Sequence, residues 1–312
     1  MAAPQGGFDL RGAPARHRKE RIVKYVLLSA AVVTLAISAG FVVALTGKAL
    51  EFLANIDLSL LWSRGWFPRR GLFDVRTLFV GTLMVTGIAM VVATPLGLGS
   101  AVYLSEYAGP RTRRILKPIL EVLAGIPSIV LGFFALSWIT PNIVQTFWSD
   151  AGAFNLMSAG IAVGVMITPL VATISEDAMR AVPHALREGS YGLGARKATT
   201  SIRVVFPAAI SGIVASLILA ASRAIGETMV VFIAAAASGG SLFTTNPLEA
   251  GQTMATAIAS LATGSDQVAA GGGQDAGQAF NSLYFVGLLL FFFTLSLNMI
   301  GDRFVRRVRQ VY

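Results

Sequence analysis

The chain has 312 residues, of which 54% are hydrophobic and only 13% are charged, and its net charge is +9 at pH 7. Soluble domains carry about 25% charged residues, so this composition, with a mean hydropathy of +0.69, indicates an integral membrane protein and not a basic nucleic-acid-binding domain. The sequence contains no cysteine, which excludes disulfides and thiolate metal sites. Its only histidines, His17 and His184, leave little material for a metal site or for histidine-based catalysis.

Long apolar intervals between clusters of charge predict the topology. Six runs are long enough to cross a hydrocarbon core of ~30 Å, and they cover residues 25–47, 77–104, 118–140, 158–175, 208–237 and 281–301. The first run follows a basic tail but has 23 residues, whereas the apolar part of a cleaved signal peptide has about 7–15. We therefore predict an all-α polytopic membrane protein with six transmembrane helices.

The distribution of lysine and arginine predicts the orientation. If the N-terminal tail is cytoplasmic, 19 of the 25 basic residues fall on that side and 5 on the other, and Arg223 is left inside an apolar run. We expect both termini in the cytoplasm and the protein in the plasma membrane, with its basic tails in contact with membrane lipid. The predicted organisation is a basic tail (1–24), a first helix with an external segment (25–76), a core (77–301) and a second basic tail (302–312).

The two external segments differ in composition. Residues 48–76 hold charges of both signs together with Trp62 and Trp66, which is typical of an interfacial segment whose indoles rest at headgroup level. Residues 238–280 contain no lysine or arginine and include Asn246-Pro247 and the small-residue run 269–273. We expect this second segment to be a long loop, either functional or partly disordered.

One full charge of each sign lies inside the fifth apolar run. Arg223 and Glu227 are spaced i, i+4, so on a continuous helix they share a face and can pair. A helix that begins near residue 208 places Arg223 roughly 22 Å along its axis, where an arginine is costly unless it faces protein or water. Two interpretations stay open: a self-satisfied pair that fixes helix packing, or a guanidinium that binds a passing oxyanion.

A second pattern occupies the cytoplasmic loop 176–207. Pro183 suits a helix start, and Gly192 and Gly194 suit a helix end. Amphipathicity alone is equally consistent with a helix lying under the bilayer.

The spacing in this loop resembles the cytoplasmic motif of permeases from binding-protein-dependent ABC importers. In that motif Glu-Ala-Ala and a later glycine are followed by an apolar residue and Leu-Pro. The matching positions here are Glu188, Gly189, Gly194, Val204, Phe206 and Pro207. Gly189-Ser190, Val204 and Phe206 depart from the motif but keep its size class or apolar character. The resemblance implies the MetI-like fold of type I importers and a coupling helix that docks on an ATP-hydrolysing subunit.

Three further segments are similar to permeases of Pst-type phosphate importers: TPLGLGSAVYLSEY (94–107), LAGIPSIVLGF (123–133) and RAIGETM (223–229). The similarity covers about residues 77–301 and is closer to PstC than to PstA permeases, because Met-Val follows Gly-Glu-Thr. It implies inorganic phosphate as substrate and Arg223 and Glu227 as charges of the translocation path. It also implies a second homologous permease, two ATP-binding subunits and an extracytoplasmic phosphate-binding protein as partners.

The sequence lacks a phosphate-binding loop, since Gly47-Lys48 is followed by alanine. We expect ATP and Mg²⁺ to be used by the partner subunits, and this chain to be no enzyme, to bind no cofactor or metal, and to bind no nucleic acid. The alternatives are a permease for sulfate or molybdate and an autonomous secondary anion transporter. A third alternative, an intramembrane enzyme, lacks a catalytic set.

Four acidic residues border the cytoplasmic loops. We expect Glu106 and Glu121 to neutralise the arginines of the 105–117 loop or to act in gating. Glu176 and Asp177 are expected to end the fourth helix or to pair with basic residues of the coupling loop.

Overall fold

A computed structural model describes residues 14–236, 239–264 and 274–308. The beginning of the basic N-terminal tail (1–13), the small-residue run 269–273 and the last residues of the C-terminal tail (309–312) lie outside the described residues. The chain divides into two compact units, Met1–Gly47 and Lys48–Tyr312. In its described part the first unit is the beginning of α1 (Pro14–Ala54). Apolar side chains on this helix are open, with Leu35 73% exposed, so they require lipid or another chain as cover.

The second unit is mainly helical. In chain order its helices are α2 (Val75–Val102), α3 (Pro110–Ala124), α4 (Ser128–Phe134), α5 (Gln145–Phe147), α6 (Leu156–Arg180), α7 (His184–Gly192), α8 (Lys197–Thr200), α9 (Phe206–Ala208), α10 (Ile210–Ile225), α11 (Met229–Ala234), α12 (Met254–Ala262) and α13 (Gln274–Val308). Wider π-helical turns follow α2 at Tyr103–Tyr107, α4 at Ala135–Val144 and α8 at Ser201–Val205.

The contact between α2 and α6 forms the centre of this unit. A Cβ added at Gly160 would lie 2.7 Å from the Cβ of Ile88, and one added at Gly164 would lie 2.7 Å from the Cβ of Val92. Lipid tails remove the hydrophobic drive for helix association, so membrane helices use small residues to gain close dispersion contacts. A continuous apolar core surrounds this contact and includes the fully buried Leu156, Val163, Ile167, Val171 and Val231.

The segment 48–76, predicted to be external, packs its buried side chains in one apolar cluster with α2, α12 and α13. Strand β1 (Gly65–Phe67) pairs antiparallel with β2 (Leu72–Phe73) on one side and with β3 (Ser241–Leu242) on the other. Short 3₁₀ turns, Leu58–Trp62 and Pro68–Arg70, flank β1. Trp62 is 67% exposed, but Trp66 is fully buried against Phe73. The expectation of two indoles at headgroup level is therefore wrong for Trp66, because strand pairing turns its ring into the core.

The segment 238–280 contains a buried helix that the sequence analysis did not predict. Thr253 caps α12 reciprocally with Thr256, and the Met254 N–H donates to the Thr82 hydroxyl on α2 at 3.0 Å. Gly81 allows this contact, since a Cβ there would lie 2.1 Å from the carbonyl oxygen of Gln252. Part of the expected loop is therefore a helix docked on α2 and α13.

Five helices in the described part of the chain are long and apolar enough to span a membrane: Lys19–Ala54, Val75–Tyr107, Ser128–Phe147, Leu156–Arg180 and Gly277–Arg307. The pair Lys197–Ala208 and Ile210–Ile225, bent by 69°, is a sixth if it counts as one span. The predicted boundaries 118–140 are wrong, because Gly125 and Pro127 separate amphipathic α3 from the span that starts at Ser128. The run 208–237 is also interrupted, at Ala209 and at Gly226, and its last residue lies outside the described part.

Candidate functional site

The predicted coupling motif begins on a short helix whose outer face is exposed. None of the residues of α7 is buried. Gly194 ends the helix with φ +77°. Its N–H donates to the Tyr191 carbonyl at 2.9 Å, and the Ala195 N–H donates to the Ser190 carbonyl at 3.1 Å. These two bonds form a Schellman motif, in which glycine at the left-handed position avoids strain. The helix end predicted at Gly192 and Gly194 is confirmed, with Gly192 as the last helical residue and Gly194 in the cap.

The outer surface of α7 is free to bind another protein. Glu188 and Gly189 are exposed, and Glu188 makes no ion pair with the residues that the structure describes. A Cβ at Gly189 would meet nothing within 4 Å. Next to the helix end Leu193 is 90% exposed. The carboxylate and the open glycine on α7, with the exposed leucine just after its end, give this surface charge, room for close approach and apolar area that a protein partner can bind.

Arg187 fixes the inner side of α7 to the membrane helices. Its guanidinium donates to the carbonyl of Met179 in the last turn of α6 at 2.8 Å and to that of Val182, just after this helix, at 2.6 Å. It also donates to Oε1 of Glu106 at 3.0 Å, in the π-helical turn after α2. The two side chains are only 12% and 4% exposed, respectively. These charge-assisted bonds satisfy helix-end carbonyls and connect three segments at one point.

Phe206, from the second half of the motif, packs in an apolar cluster next to α7. Val204, Phe206 and Pro207 are in the segment that leads into α10, with Phe206 partly buried. Phe206 of α9 and Leu186 of α7 both pack against this cluster. Its buried residues include Met179, Val205, Ile213 and, from α2, Ala101. A displacement of α7 therefore acts on the ends of α2, α6 and α10 together.

Glu176 and Asp177 do not pair with the coupling loop. Glu176 is fully buried and lies 2.5 Å from Nε of Arg113 and 3.5 Å from Nζ of Lys117, both on α3. Asp177 binds Lys117 at 3.0 Å. Burial alone lowers the pKa of Lys117, but the hydrogen bond to Asp177 and the charges of Glu176 and Asp177 outweigh burial and hold this pKa above its ordinary value.

The partners of these acidic residues are therefore the reverse of those expected from the sequence. Glu106 of the 105–117 loop binds the coupling loop through Arg187, and Glu176 at the start of the coupling loop binds α3. The sequence gives no signal for either partner, because each pair joins segments that only the packing of α2 against α6 brings together.

Arg223 and Glu227 lie on either side of a helix break. α10 ends at Ile225 and α11 begins at Met229, so Gly226 interrupts the i, i+4 relation. No ion pair within the described parts of the chain joins Arg223 to Glu227. The self-satisfied pair, one of the two open interpretations, is not formed on a continuous helical face, because the backbone leaves the helical path between the two residues.

Each of these charges is stabilised by the helix end beside it. Arg223 is in the last turn of α10, where the helix dipole favours a cation. Glu227 is 9% exposed, and its Oε1 lies 3.5 Å from the Val230 N–H at the start of α11. Arg223 is exposed and has no hydrogen bond or ion pair to any residue that the structure describes. Its fork of donors is therefore available to an anion.

The break is held in place by neighbouring helices. Beside Arg223, the Ser222 hydroxyl donates to Oδ1 of Asn298 on α13 at 2.7 Å. Gly132 of α4 lies against α11, since a Cβ there would be 3.1 Å from the Met229 carbonyl oxygen.

Among the residues described, no group of three or more acidic, histidine or cysteine side chains could hold a metal ion.

Over the residues that the structure describes, five helices long enough to span a membrane, with a sixth, broken span, define a multi-pass membrane protein. The family model described as "binding-protein-dependent transport system inner membrane component" matches residues 93–310. The chain belongs to this family. It is therefore a multi-pass permease component of an ABC importer and not an enzyme, and the predicted MetI-like fold is confirmed.

Curated relatives with different names match the chain. The probable ABC transporter permease protein YqgH of Bacillus subtilis is 34% identical over 213 residues, which cover 67% of this chain and 69% of the relative. The phosphate transport system permease protein PstC of Mesorhizobium japonicum is 31% identical over 221 residues, which cover 65% of this chain and 68% of the relative. The protein named PstA 1 of Mycobacterium tuberculosis is 39% identical over 54% of each chain.

Solved structures match the fold at low sequence identity. A chain of a bacterial alginate ABC transporter, crystallised in complex with a periplasmic protein bound to an alginate pentasaccharide, superposes with a TM-score of 0.64 at 14% identity, covering 95% of this chain and 98% of that one. A chain of the inward-facing MetNI methionine ABC transporter gives a TM-score of 0.55 at 21% identity and covers 76% of this chain and 96% of that one.

Proposed function

We propose that this chain is one permease subunit of an ATP-driven importer of inorganic phosphate and forms half of the translocation path. The relatives named as phosphate transport system permeases support this substrate. The single observation that carries the proposal is Arg223, an exposed guanidinium with no partner among the described residues of its own chain, at a break in an apolar span. The PstC role is favoured over the PstA role by the sequence Gly-Glu-Thr-Met-Val at 226–230.

The assembly needs subunits that this chain does not supply. A second homologous permease forms the other half of the path, and two ATP-binding subunits use ATP and Mg²⁺. An extracytoplasmic phosphate-binding protein delivers the substrate. Both termini lie in the cytoplasm, which places α7 on the side of the ATPases, and the basic tails contact anionic lipid.

The mechanism follows from the two parts of the site. Closure of the ATPases moves α7 through contacts at Glu188, Gly189 and Leu193. Arg187 and the apolar cluster around Val205 pass this movement to the ends of α2, α6 and α10. At the far end of α10, Arg223 offers bidentate hydrogen bonds to an oxyanion entering from outside. The nearby carboxylate of Glu227 keeps this binding weak, so that the anion can leave again.

The test is transport by the complete complex in proteoliposomes. We expect uptake of radiolabelled phosphate that requires ATP and the external binding protein, and that excess sulfate or molybdate does not inhibit. Inhibition by sulfate or molybdate at concentrations equal to phosphate would assign another oxyanion. Uptake by this chain alone, driven by a proton gradient without ATP, would identify a secondary transporter and reject the proposal.

A further inference from the structure

A basic cavity lies beside the coupling helix, away from Arg223. Its volume is about 310 Å³, and its lining includes Glu106, Arg180, His184, Arg187 and Lys197. These residues come from three separate segments: the π-helical turn after α2, the end of α6 with α7, and α8. The cavity therefore exists only because the packed membrane helices bring these segments together.

The charges in the cavity do not balance. Glu106 is neutralised by Arg187 at 3.0 Å, so its carboxylate is already used. Arg180 is exposed and makes no hydrogen bond or ion pair with the described residues, and Lys197 faces the ring of Tyr107 at 5.0 Å. Within the described ranges Arg180 and Lys197 thus have no acidic partner, and His184 lies in the same cavity lining. Elsewhere on this face the buried acids are matched by bases, as Glu176 is by Arg113 and Lys117.

We propose that this cavity binds an oxyanion of the phosphate type. Arg180 supplies a planar fork of donors and Lys197 a compact cation, which is the combination that phosphate groups favour in proteins. The start of α7 also lies at this cavity, because His184 is part of the lining. It is uncapped, because Pro183 makes no side-chain hydrogen bond to the first helical N–H groups. A bound anion bridges α6, α7 and α8 and so holds the coupling helix against the membrane core.

The anion has two possible sources with the same chemistry. It is either free phosphate from the cytoplasm or the phosphate of a lipid headgroup at the membrane surface. The inference does not rest on the transported substrate, because it involves neither Arg223 nor the external face.

The test uses the assembled complex without nucleotide or external binding protein, in nanodiscs of phosphatidylcholine. All samples carry Arg223→Gln, which removes binding in the translocation path. We expect radiolabelled phosphate to bind saturably and to raise the melting temperature at constant ionic strength. Arg180→Gln with Lys197→Gln should weaken this binding by roughly tenfold or more, whereas the charge-matched control Arg203→Gln with Arg303→Gln should not. If the double variant does not assemble, each single substitution is measured instead.

A second arm uses nanodiscs that contain phosphatidylglycerol. If the anion is a lipid headgroup, phosphatidylglycerol should abolish the binding of free phosphate to the parent complex. The complex should then retain phosphatidylglycerol on purification only when Arg180 and Lys197 are present. The proposal is overturned if phosphate binds equally to parent and double variant. It is equally overturned if neither phosphate binding nor retention of phosphatidylglycerol differs between them.

Discussion

Glu106 and Arg187 are 81 positions apart in the chain, yet Oε1 of the carboxylate lies 3.0 Å from Nη2 of the guanidinium. The pair is almost fully buried, and the same guanidinium also binds two carbonyls, one in the last turn of α6 and one just after it. Arg187 therefore links exposed α7 to the end of α6 and to the turn after α2, in addition to the apolar packing of Leu186.

The first prediction concerns this pair. Arg187→Gln removes the charge and most of the donors, and breaking a buried pair costs about 3 kcal/mol or more. We expect the ATPase subunits still to copurify, but the number of phosphate ions imported per ATP to fall severalfold. Glu106→Gln should have a similar effect, and the double variant should be little worse than either single one. Arg196→Gln, an exposed residue of the same loop, is the control. Additive losses would show that the two residues act separately.

The second prediction concerns docking. Glu188→Lys reverses a charge on the open surface of α7 without disturbing any contact that the structure describes. We expect the variant to reach the membrane but to lose its ATPase subunits during purification. Glu121→Lys makes the same change at an exposed position of α3 and should copurify normally. Equal retention of ATPase by both variants would remove α7 from the docking surface.

The third prediction concerns the packing of α2 on α6. Gly164→Ala places a Cβ 2.9 Å from the Ala89 carbonyl oxygen and 2.7 Å from the Cβ of Val92. Overpacking of this kind costs about 1–3 kcal/mol, so the melting temperature of the purified complex should fall by several degrees. Gly99→Ala on α2 meets nothing within 4 Å and serves as control. An unchanged melting temperature for Gly164→Ala would mean that the two helices are farther apart.

The fourth prediction concerns the buried carboxylate on α6. Arg113→Gln leaves Glu176 fully buried with Lys117 at 3.5 Å as its remaining cation. We expect a loss of stability of about 2 kcal/mol, below the value for a fully buried pair because Arg113 is 24% exposed. The exposed neighbour Arg114 gives the control Arg114→Gln. Thermal melting of the purified complex separates the two, and equal curves would contradict the buried pairing.

Local sequence patterns predicted much of the fold. Long intervals without charge located the spanning helices, and Pro183 and the glycines at 192 and 194 located the ends of α7, because both signals depend on residues close together in the chain. Proline and glycine at 125–127 could have revealed the break before Ser128, since the residue before proline disfavours the helical conformation. The break at Gly226 had a weaker signal, because an isolated glycine is tolerated within a helix.

Long-range pairing had no comparable signal. The exchange of partners between Glu106 and Glu176 depends on how α2, α3 and α6 pack, and the local sequence around an acidic loop residue does not indicate its partner. The buried position of α12 was hidden for a different reason. Its small residues, such as Ala255 and Ala257, are typical of loops and of tightly packed helices alike.

The most direct test of the proposed transport role is ATP-driven phosphate uptake by the complex carrying Arg223→Gln. Loss of a charge-assisted hydrogen bond costs about 1.5–3 kcal/mol, so we expect uptake to fall by about 10- to 100-fold while the subunits remain assembled. Arg303→Gln, an exposed arginine near the end of α13, should transport normally. Normal phosphate uptake by a correctly assembled Arg223→Gln complex would contradict a path in which this guanidinium binds the anion.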